Sequence, residues 1–408
     1  MVRHNNYWFN TCPTRRDVSP GLIKNVDVLI IGGGLSGISV LCQLIKAGIN
    51  NIYLLEESTV GYRASGRGSG QLMLRGGQLF SEMNEADGVE YLKFILENNR
   101  NFVKGFRKVR FDTDLREVGG LRLAVDEDEL SVLKKEADFI RKHTGIECPI
   151  LEGNDLRGVV PTESFEGGMF MPNDAIFNPY KIVNGCRETI ELKGRRVLID
   201  AQVESIEQKK DDGFSVRIRH KGTIRAKQIV YCNNACVTEL VPELSDCLKS
   251  FRSQITATDF LKSSASQLIP AMSMSCHNDD TYFRLHGGRL LIGGMRSKIR
   301  GKQEGINADG EISAAVHEKL CTFIREVLPC LKDTKFTHAW SSTMCTTSDN
   351  LPLIGPIPGR PSQYVMTGFG DYGYSHILGG SSIIKDYILY DGCSNPITSL
   401  FNPSRFKG

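Results

Sequence analysis

The sequence lacks the features that announce several common functions. No segment gathers five or six like charges, and a net charge of +3 over 50 Lys+Arg and 47 Asp+Glu gives nucleic acid or an anionic membrane little to hold. The 12 cysteines form no Cys-x-x-Cys pair. Cys232 and Cys236 stand four apart with no second pair or nearby histidine, so no metal site is expected and the cysteines read as buried, reduced thiols. Neither a His-Glu-x-x-His pattern nor a nucleophile motif occurs, which sets aside zinc-protease and Ser-His-Asp chemistry. The opening MVRHNNYWFN is polar and aromatic, unlike a signal peptide. The apolar stretch from Val26 to Ile49 is interrupted by Asp27, Gly32, Gly33, Gly34 and Gly37, so no membrane span is expected. The closing Arg405–Gly408 matches no peroxisomal or retention address, and the expected location is cytoplasmic.

What is present is glycine in short loops and one well-formed βαβ unit. At 408 residues the chain predicts two packed domains rather than one core. Val26–Ile31 is a short β-branched run that reads as a buried parallel strand. Leu35, Ile38, Leu41, Leu44 and Ile45 then recur at helical spacing over 35–47, and Gly48 suits the stop. Asn51–Glu56 is a second buried strand. Between the first strand and the helix stands Gly32-x-Gly34-x-x-Gly37. The first glycine of such a triad permits the turn, the second admits a pyrophosphate, and the third lets helix and strand pack closely. The helix N-terminus, with Leu35 and Ser36, offers N–H groups and a positive dipole end to phosphate. Glu56, with Glu57 as competitor, ends the next strand where a carboxylate accepts bonds from ribose hydroxyls and repels a 2′-phosphate. A second glycine-rich loop follows at 62–71, YRASGRGSGQ; a plain NAD enzyme would not require it, so FAD is the expected cofactor.

Further along, helices are expected over 90–111, 127–145, 314–327 and from about 380 to 390. Strands are expected over 121–125, 197–207, 214–219, 227–232 and 364–369, with a hairpin of 281–285 and 289–293 around His286-Gly287-Gly288. The predicted fold is α/β: a Rossmann-like FAD-binding domain interleaved with an α+β substrate domain built on a mixed sheet. The expected division gives residues 1–90, 151–245 and 340–408 to the FAD-binding domain, and 91–150 and 246–339 to the substrate domain.

At this point the chain resembles the D-amino-acid oxidase superfamily of FAD enzymes, within it the gamma-glutamylputrescine oxidase and sarcosine/glycine oxidase branch. The residues carrying the resemblance run nearly end to end: Tyr7-Trp8 with Thr11, the loop Ala64–Gln71, Glu117–Leu121, Val230–Ala235, Tyr282–Leu285 with Arg289–Gly294, Trp340, Asp349, Pro352 and Gly355, Gly368-Phe369-Gly370, and Asn402-Pro403 with Phe406. The resemblance implies oxidation of a C–N bond in a small amine or amino acid, with electrons passed to O2 to give hydrogen peroxide. Expected cofactor contacts are Gly32, Gly34, Leu35, Ser36, Gly37, Glu56, Ser65, Gly66, Arg67, Gln71, Val203, Asn234, Gly368, Gly370 and Gly373.

The chain departs from the family pattern in two places. The family's Asn-Gly after Arg67 is Gly68-Ser69, and its C-terminal Gly-x-Ser-Gly-His-Gly is Gly368-Phe369-Gly370-Asp371-Tyr372-Gly373. Asp371 would set a carboxylate near a flavin edge that becomes anionic on reduction, so either it points away or the chemistry is altered. Flavin carries the hard chemistry, and the protein supplies orientation. Arg284 is expected over the flavin, serving oxygen or a substrate carboxylate, with Arg75 and Arg252 as lesser carboxylate partners. Tyr372, in the family's His position, and Tyr282 would orient substrate. Cys345 is a point for covalent FAD attachment or an inert thiol. The rival readings are an FAD dehydrogenase serving a quinone or protein acceptor, a flavin-binding protein with little catalysis, and, least favoured, an NAD enzyme.

Overall fold

The structure is a computed structural model that describes residues 5–13, 21–192, 196–209, 213–276, 280–307 and 309–406; the first four residues of the opening segment and the last two of the tail lie outside these. The first strand, β1 (Asn25–Ile31), pairs in parallel with Ile52–Leu55 (β2) on one side and with Gly222–Tyr231 on the other. A strand flanked and covered in this way has no solvent face, so Leu29, Ile30 and Ile31 are apolar without alternation. The helix α1 (Leu35–Lys46) buries Leu35, Ile38, Leu41 and Leu44. Each such side chain contributes roughly 1.5–3 kcal/mol. Helix Ile377–Tyr390 packs beside α1, joined to it by the Ser39 and Ser381 hydroxyls at 2.7 Å.

This sheet has eight strands, with Gln363–Thr367 parallel to Gly222–Tyr231, and Val203–Gln208 and Phe214–Ile218 forming an antiparallel flank. The expected strand 197–207 is two strands. Val197–Leu198 pairs with β2, Val203–Gln208 pairs with Phe214–Ile218, and the chain turns between them at Asp200, whose φ is 50°. A left-handed residue breaks extended pairing, and Asp tolerates that conformation.

A second eight-stranded sheet runs in the order 336–347, 248–258, 289–294, 281–286, 273–276, 120–124, 167–171, 150–152. Its two longest strands, Leu248–Thr258 and Phe336–Thr347, have no counterpart in the sequence reading. They are rich in Ser, Thr and Gln, many of them buried and bonded within the sheet or to the loops beside it; Thr256 donates to the His338 carbonyl at 2.8 Å, and Ser341 to the Glu311 carbonyl at 2.7 Å. Strand Gly167–Met171 pairs with Gly120–Ala124 in this sheet, although the expected division gives 151–245 to the nucleotide side. Helix Glu85–Phe106 starts five residues before the expected 90, because Asn84 caps it by accepting from the Asp87 N–H. Helix Glu127–Thr144 ends at Gly145, with φ 70°. Ala314–Val327 matches its expected bounds. Among the described residues no helix is long and apolar enough to cross a membrane. All twelve cysteines are free thiols.

Candidate active site

A cavity of about 340 Å³ lies between the two sheets. One wall is the glycine turn. Gly32 has φ 111°, and a Cβ there would stand 2.5 Å from the Cys232 carbonyl oxygen. At Gly37 a Cβ would stand 2.0 Å from the Gly32 oxygen, so the helix start packs directly on the turn. Gly33 N–H donates to Glu56 Oε2 at 2.7 Å, and Ser58 N–H to Oε1 at 2.9 Å. Burial nonetheless pushes the Glu56 carboxyl up to about 7, because desolvation outweighs the two donors. The competitor Glu57 pairs with Arg63, whose other arm reaches Asp309 at 3.0 Å. Leu35 N–H donates to Ser65 Oγ at 2.9 Å, so the second glycine loop satisfies a donor at the start of the helix that the first loop opens. Gly32, Gly34, Ser36, Glu56, Ser65, Val203 and Asn234 line the cavity, and Leu35 and Gly37 lie behind that lining.

The second glycine loop is held by its carbonyls. Asn6 Nδ2 donates to Gly66 O at 2.9 Å, Trp340 Nε1 to Arg67 O at 2.8 Å, and Trp8 Nε1 to Gly68 O at 2.8 Å. Trp8 is wholly buried. The Arg67 side chain turns away from the cavity, donating to the Tyr62 and Ser341 carbonyls and lying over the rings of Phe9 and Tyr62. Gly66 and Arg67 therefore shape the loop without lining the cavity. Gln71 Oε1 accepts from Ser273 Oγ at 2.5 Å, while its buried Nε2 has no hydrogen-bond partner among the described residues. The sequence held Tyr7-Trp8 and Trp340 only as points of resemblance. That Asn6 and two indole N–H groups converge on one loop appears only in three dimensions.

The opposite wall is made of side chains. Arg75, Phe251, Asp280, Tyr282 and Arg296 face Asp371 and Tyr372. The Arg296 guanidinium lies 3.9 Å from the Phe251 ring centre, and its Nε is 3.6 Å from Asp280 Oδ2. The Arg75 guanidinium sits 5.2 Å from the Tyr372 ring centre. Burial first, then Asp280, pushes the Asp371 carboxyl up to about 7, against the pull of Arg296 and Arg75. Asp280 is raised for the same first reason. Asp371 lines the cavity within electrostatic reach of Asp280, Arg296 and Arg75.

Gly368 (φ 76°) packs against Leu248 and Thr347 behind the lining, while Gly370 and Gly373 are on it. The loop is anchored by a relay: Gly77 N–H donates to the Tyr91 oxygen at 3.1 Å, and the Tyr91 hydroxyl donates to His376 Nε2 at 2.9 Å. His376 Nδ1–H then donates to the Tyr372 carbonyl at 2.8 Å. Burial holds His376 down at about 4, so it is neutral, and the carbonyl fixes which nitrogen carries the proton.

Three expected side chains are placed elsewhere. Arg284 is 1% exposed, donates to the Phe177 carbonyl at 2.8 Å and lies over Trp8, off the cavity wall. Burial brings it down to about 9. It shares a strand face with Tyr282, but Gly70 and Trp8 cover that face at position 284. Arg252 is committed to Gln303 at 2.6 Å and Glu311 at 3.4 Å. Cys345 Sγ donates to Asn234 Oδ1 at 3.0 Å and is outside the lining.

A Cβ-free turn, a helix start above it and a strand-end carboxylate fit a dinucleotide, and the second loop extends that cradle toward the charged wall. Fold and site together define a two-lobed dinucleotide-binding oxidoreductase. The chain matches the FAD dependent oxidoreductase family (DAO) over residues 27–386 and belongs to that family, whose cofactor is FAD. It is 25% identical over 364 residues to gamma-glutamylputrescine oxidoreductase of Escherichia coli K12, covering 86% of this chain and 82% of that protein. Among solved structures, L-proline dehydrogenase from P. horikoshii superposes with a TM-score of 0.81 at 16% identity, covering 95% of this chain and 99% of that one. Glycine oxidase from Geobacillus kaustophilus gives 0.78 at 19% identity, covering 95% and 100%. At these identities the structures share the fold.

Proposed function

We propose that the protein oxidises the C–N bond of a small amino acid or carboxylate-bearing amine to an imine, and that O2 then accepts the electrons as hydrogen peroxide. The observation that carries this reading is the charged wall: two arginines, Arg75 and Arg296, interleaved with two aspartates, Asp280 and Asp371, in the cavity the glycine turn opens into. Such a wall is complementary to a zwitterion. Arg75 and Arg296 receive the carboxylate. Tyr282 and Tyr372 close over the reacting carbon and exclude water. In the cradle, Gly32, Gly34 and Ser36 present backbone to the pyrophosphate and Glu56 meets the ribose, with Val203 and Asn234 beside them. Bound FAD supplies the electron sink for the C–H bond adjacent to nitrogen. The first sheet holds the cofactor, and the substrate side is shared between the second sheet, the segment at Arg75 and the loop at Asp371–Tyr372. The relatives named above carry amine or amino-acid donors in their names, which supports the same reading.

The test is anaerobic mixing of the yellow protein with glycine, N-methylglycine, L-proline and gamma-glutamylputrescine. Loss of flavin colour with at least one, and peroxide on admitting air, is the expected result. Bleaching without peroxide would move the protein to a dehydrogenase passing electrons to a carrier. A flavin that none of these amines bleaches would end the amine reading.

A further inference from the structure

We propose that Asp371, backed by Asp280, is the carboxylate that receives the substrate's ammonium group and takes its proton, so that this protein binds its amine protonated and discharges it inside the cavity. The inference rests on the reading of the site as an amine site.

Asp371 is on the loop after strand Gln363–Thr367, and Asp280 enters strand Thr281–His286 from the other lobe with φ 51°. The two carboxyls line one cavity and feel one another across it. Carboxylates of one sign do not share a buried wall without a cation or a proton between them. The cations that face Asp371 from packed elements are Arg296 and Arg75, and the other titratable groups are Tyr282 and Tyr372. Arg296 is only loosely tied to Asp280, at 3.6 Å through Nε, and its flat face is spent on Phe251. The site therefore holds two acids beside two arginines, one pair for each end of a zwitterion.

The proton balance is simple. An N–H bond of the ammonium breaks, an O–H bond forms on Asp371, and the nitrogen lone pair is freed; nothing is oxidised or reduced in this step. An amine must have that lone pair before its neighbouring carbon can give up hydride, because the resulting cation is stabilised by it. His376, the neutral imidazole nearest this loop, cannot substitute, since both its nitrogens are engaged with Tyr91 and the Tyr372 carbonyl. Asp371 is raised, so it becomes a working carboxylate only as pH rises through about 7. Flavin reduction in the wild type should therefore climb through that pH and then level.

The experiment compares wild type with Asp371→Asn in two ways, each protein first checked for retained FAD colour. In anaerobic reduction by glycine, N-methylglycine and L-proline, the variant must await the free amine. Its rate at pH 7.5 should fall by about a hundredfold for an amine whose own pKa lies two units higher, and recover as pH approaches that pKa. The same limb near 7 in both proteins would overturn the proposal. Independently of turnover, calorimetric binding of trimethylglycine is compared with that of 3,3-dimethylbutanoate, its uncharged-carbon isostere. Wild type should favour the cation by about tenfold or more at pH 8, the worth of Coulomb attraction between one carboxylate and one cation at a partly desolvated site, and Asp371→Asn should lose that preference. Trimethylglycine bound no better than the isostere by wild type would overturn it. If no amine bleaches the wild type but the cation preference appears and depends on Asp371, the turnover reading fails while cation recognition stands.

Discussion

The two walls of the cavity are built on different principles. The nucleotide wall is backbone: a turn at Gly32, a helix start at Gly34–Gly37 and one carboxylate held by two N–H groups. The facing wall is side chain: Arg75, Phe251, Arg296 and the neighbours Asp280 and Tyr282 come from four separate segments. A backbone cradle tolerates almost no added atom, whereas a side-chain wall can be rewritten residue by residue while the cradle stays intact. Cofactor and substrate recognition should therefore come apart under mutation.

Glycine replacements are the harshest test of that contrast. Gly37→Ala drives a Cβ to 2.0 Å from a backbone oxygen that cannot move without the turn, and should cost roughly 3 kcal/mol or more, seen as a collapse of the thermal midpoint. Gly34→Ala meets only Ser65 Oγ, at 2.9 Å, so the fold should persist while FAD affinity drops by about a hundredfold, the loss of close pyrophosphate approach. Undiminished FAD binding by Gly34→Ala would erase the distinction. On the other wall, Arg75→Met should leave FAD bound and raise the half-saturating amine concentration by about thirty- to a hundredfold, the range of one or two lost charge-assisted bonds. Loss of FAD from that variant would mean the walls are not separable. The smallest effect on the flavin is expected of Trp8→Phe, which deletes the indole N–H to the Gly68 carbonyl together with part of a wholly buried ring. FAD release, followed by flavin fluorescence after dilution, should quicken about fivefold with the flavin reduction rate unchanged.

The same contrast explains what the sequence disclosed. The βαβ unit, the glycine triad and Glu56 occupy one short stretch, so spacing alone carries their geometry. The second loop was legible as a loop, but not its braces, because Asn6, Trp8 and Trp340 arrive from distant parts of the chain. Arg284 shows the limit of strand parity. Alternation places it on the face of Tyr282, yet no alternation reveals that Gly70 and Trp8 cover that face two residues on. Asp280 and Arg296 gave no signal, since a lone acid and a lone base at loop ends read as solvated surface. Asp371 did stand out, as a departure from a family pattern, but its partners across the cavity depend on how the second sheet is set against the first. The long strands at 248–258 and 336–347 were hidden by their hydroxyls, several of which find partners in the sheet or in the loops laid against it.

Consider the order in which a ribosome delivers these parts. The loop at Gly66–Gly68 emerges early, but the indole that seats Arg67 belongs to residue 340, 273 positions later. A half-made chain thus has the glycine turn but not the last brace of the second loop. On the proposed reading of the site, cofactor capture should wait for the closing of the second lobe. Starvation for flavin should then show itself as whole chains lost to proteases, not as a reservoir of well-folded, colourless enzyme.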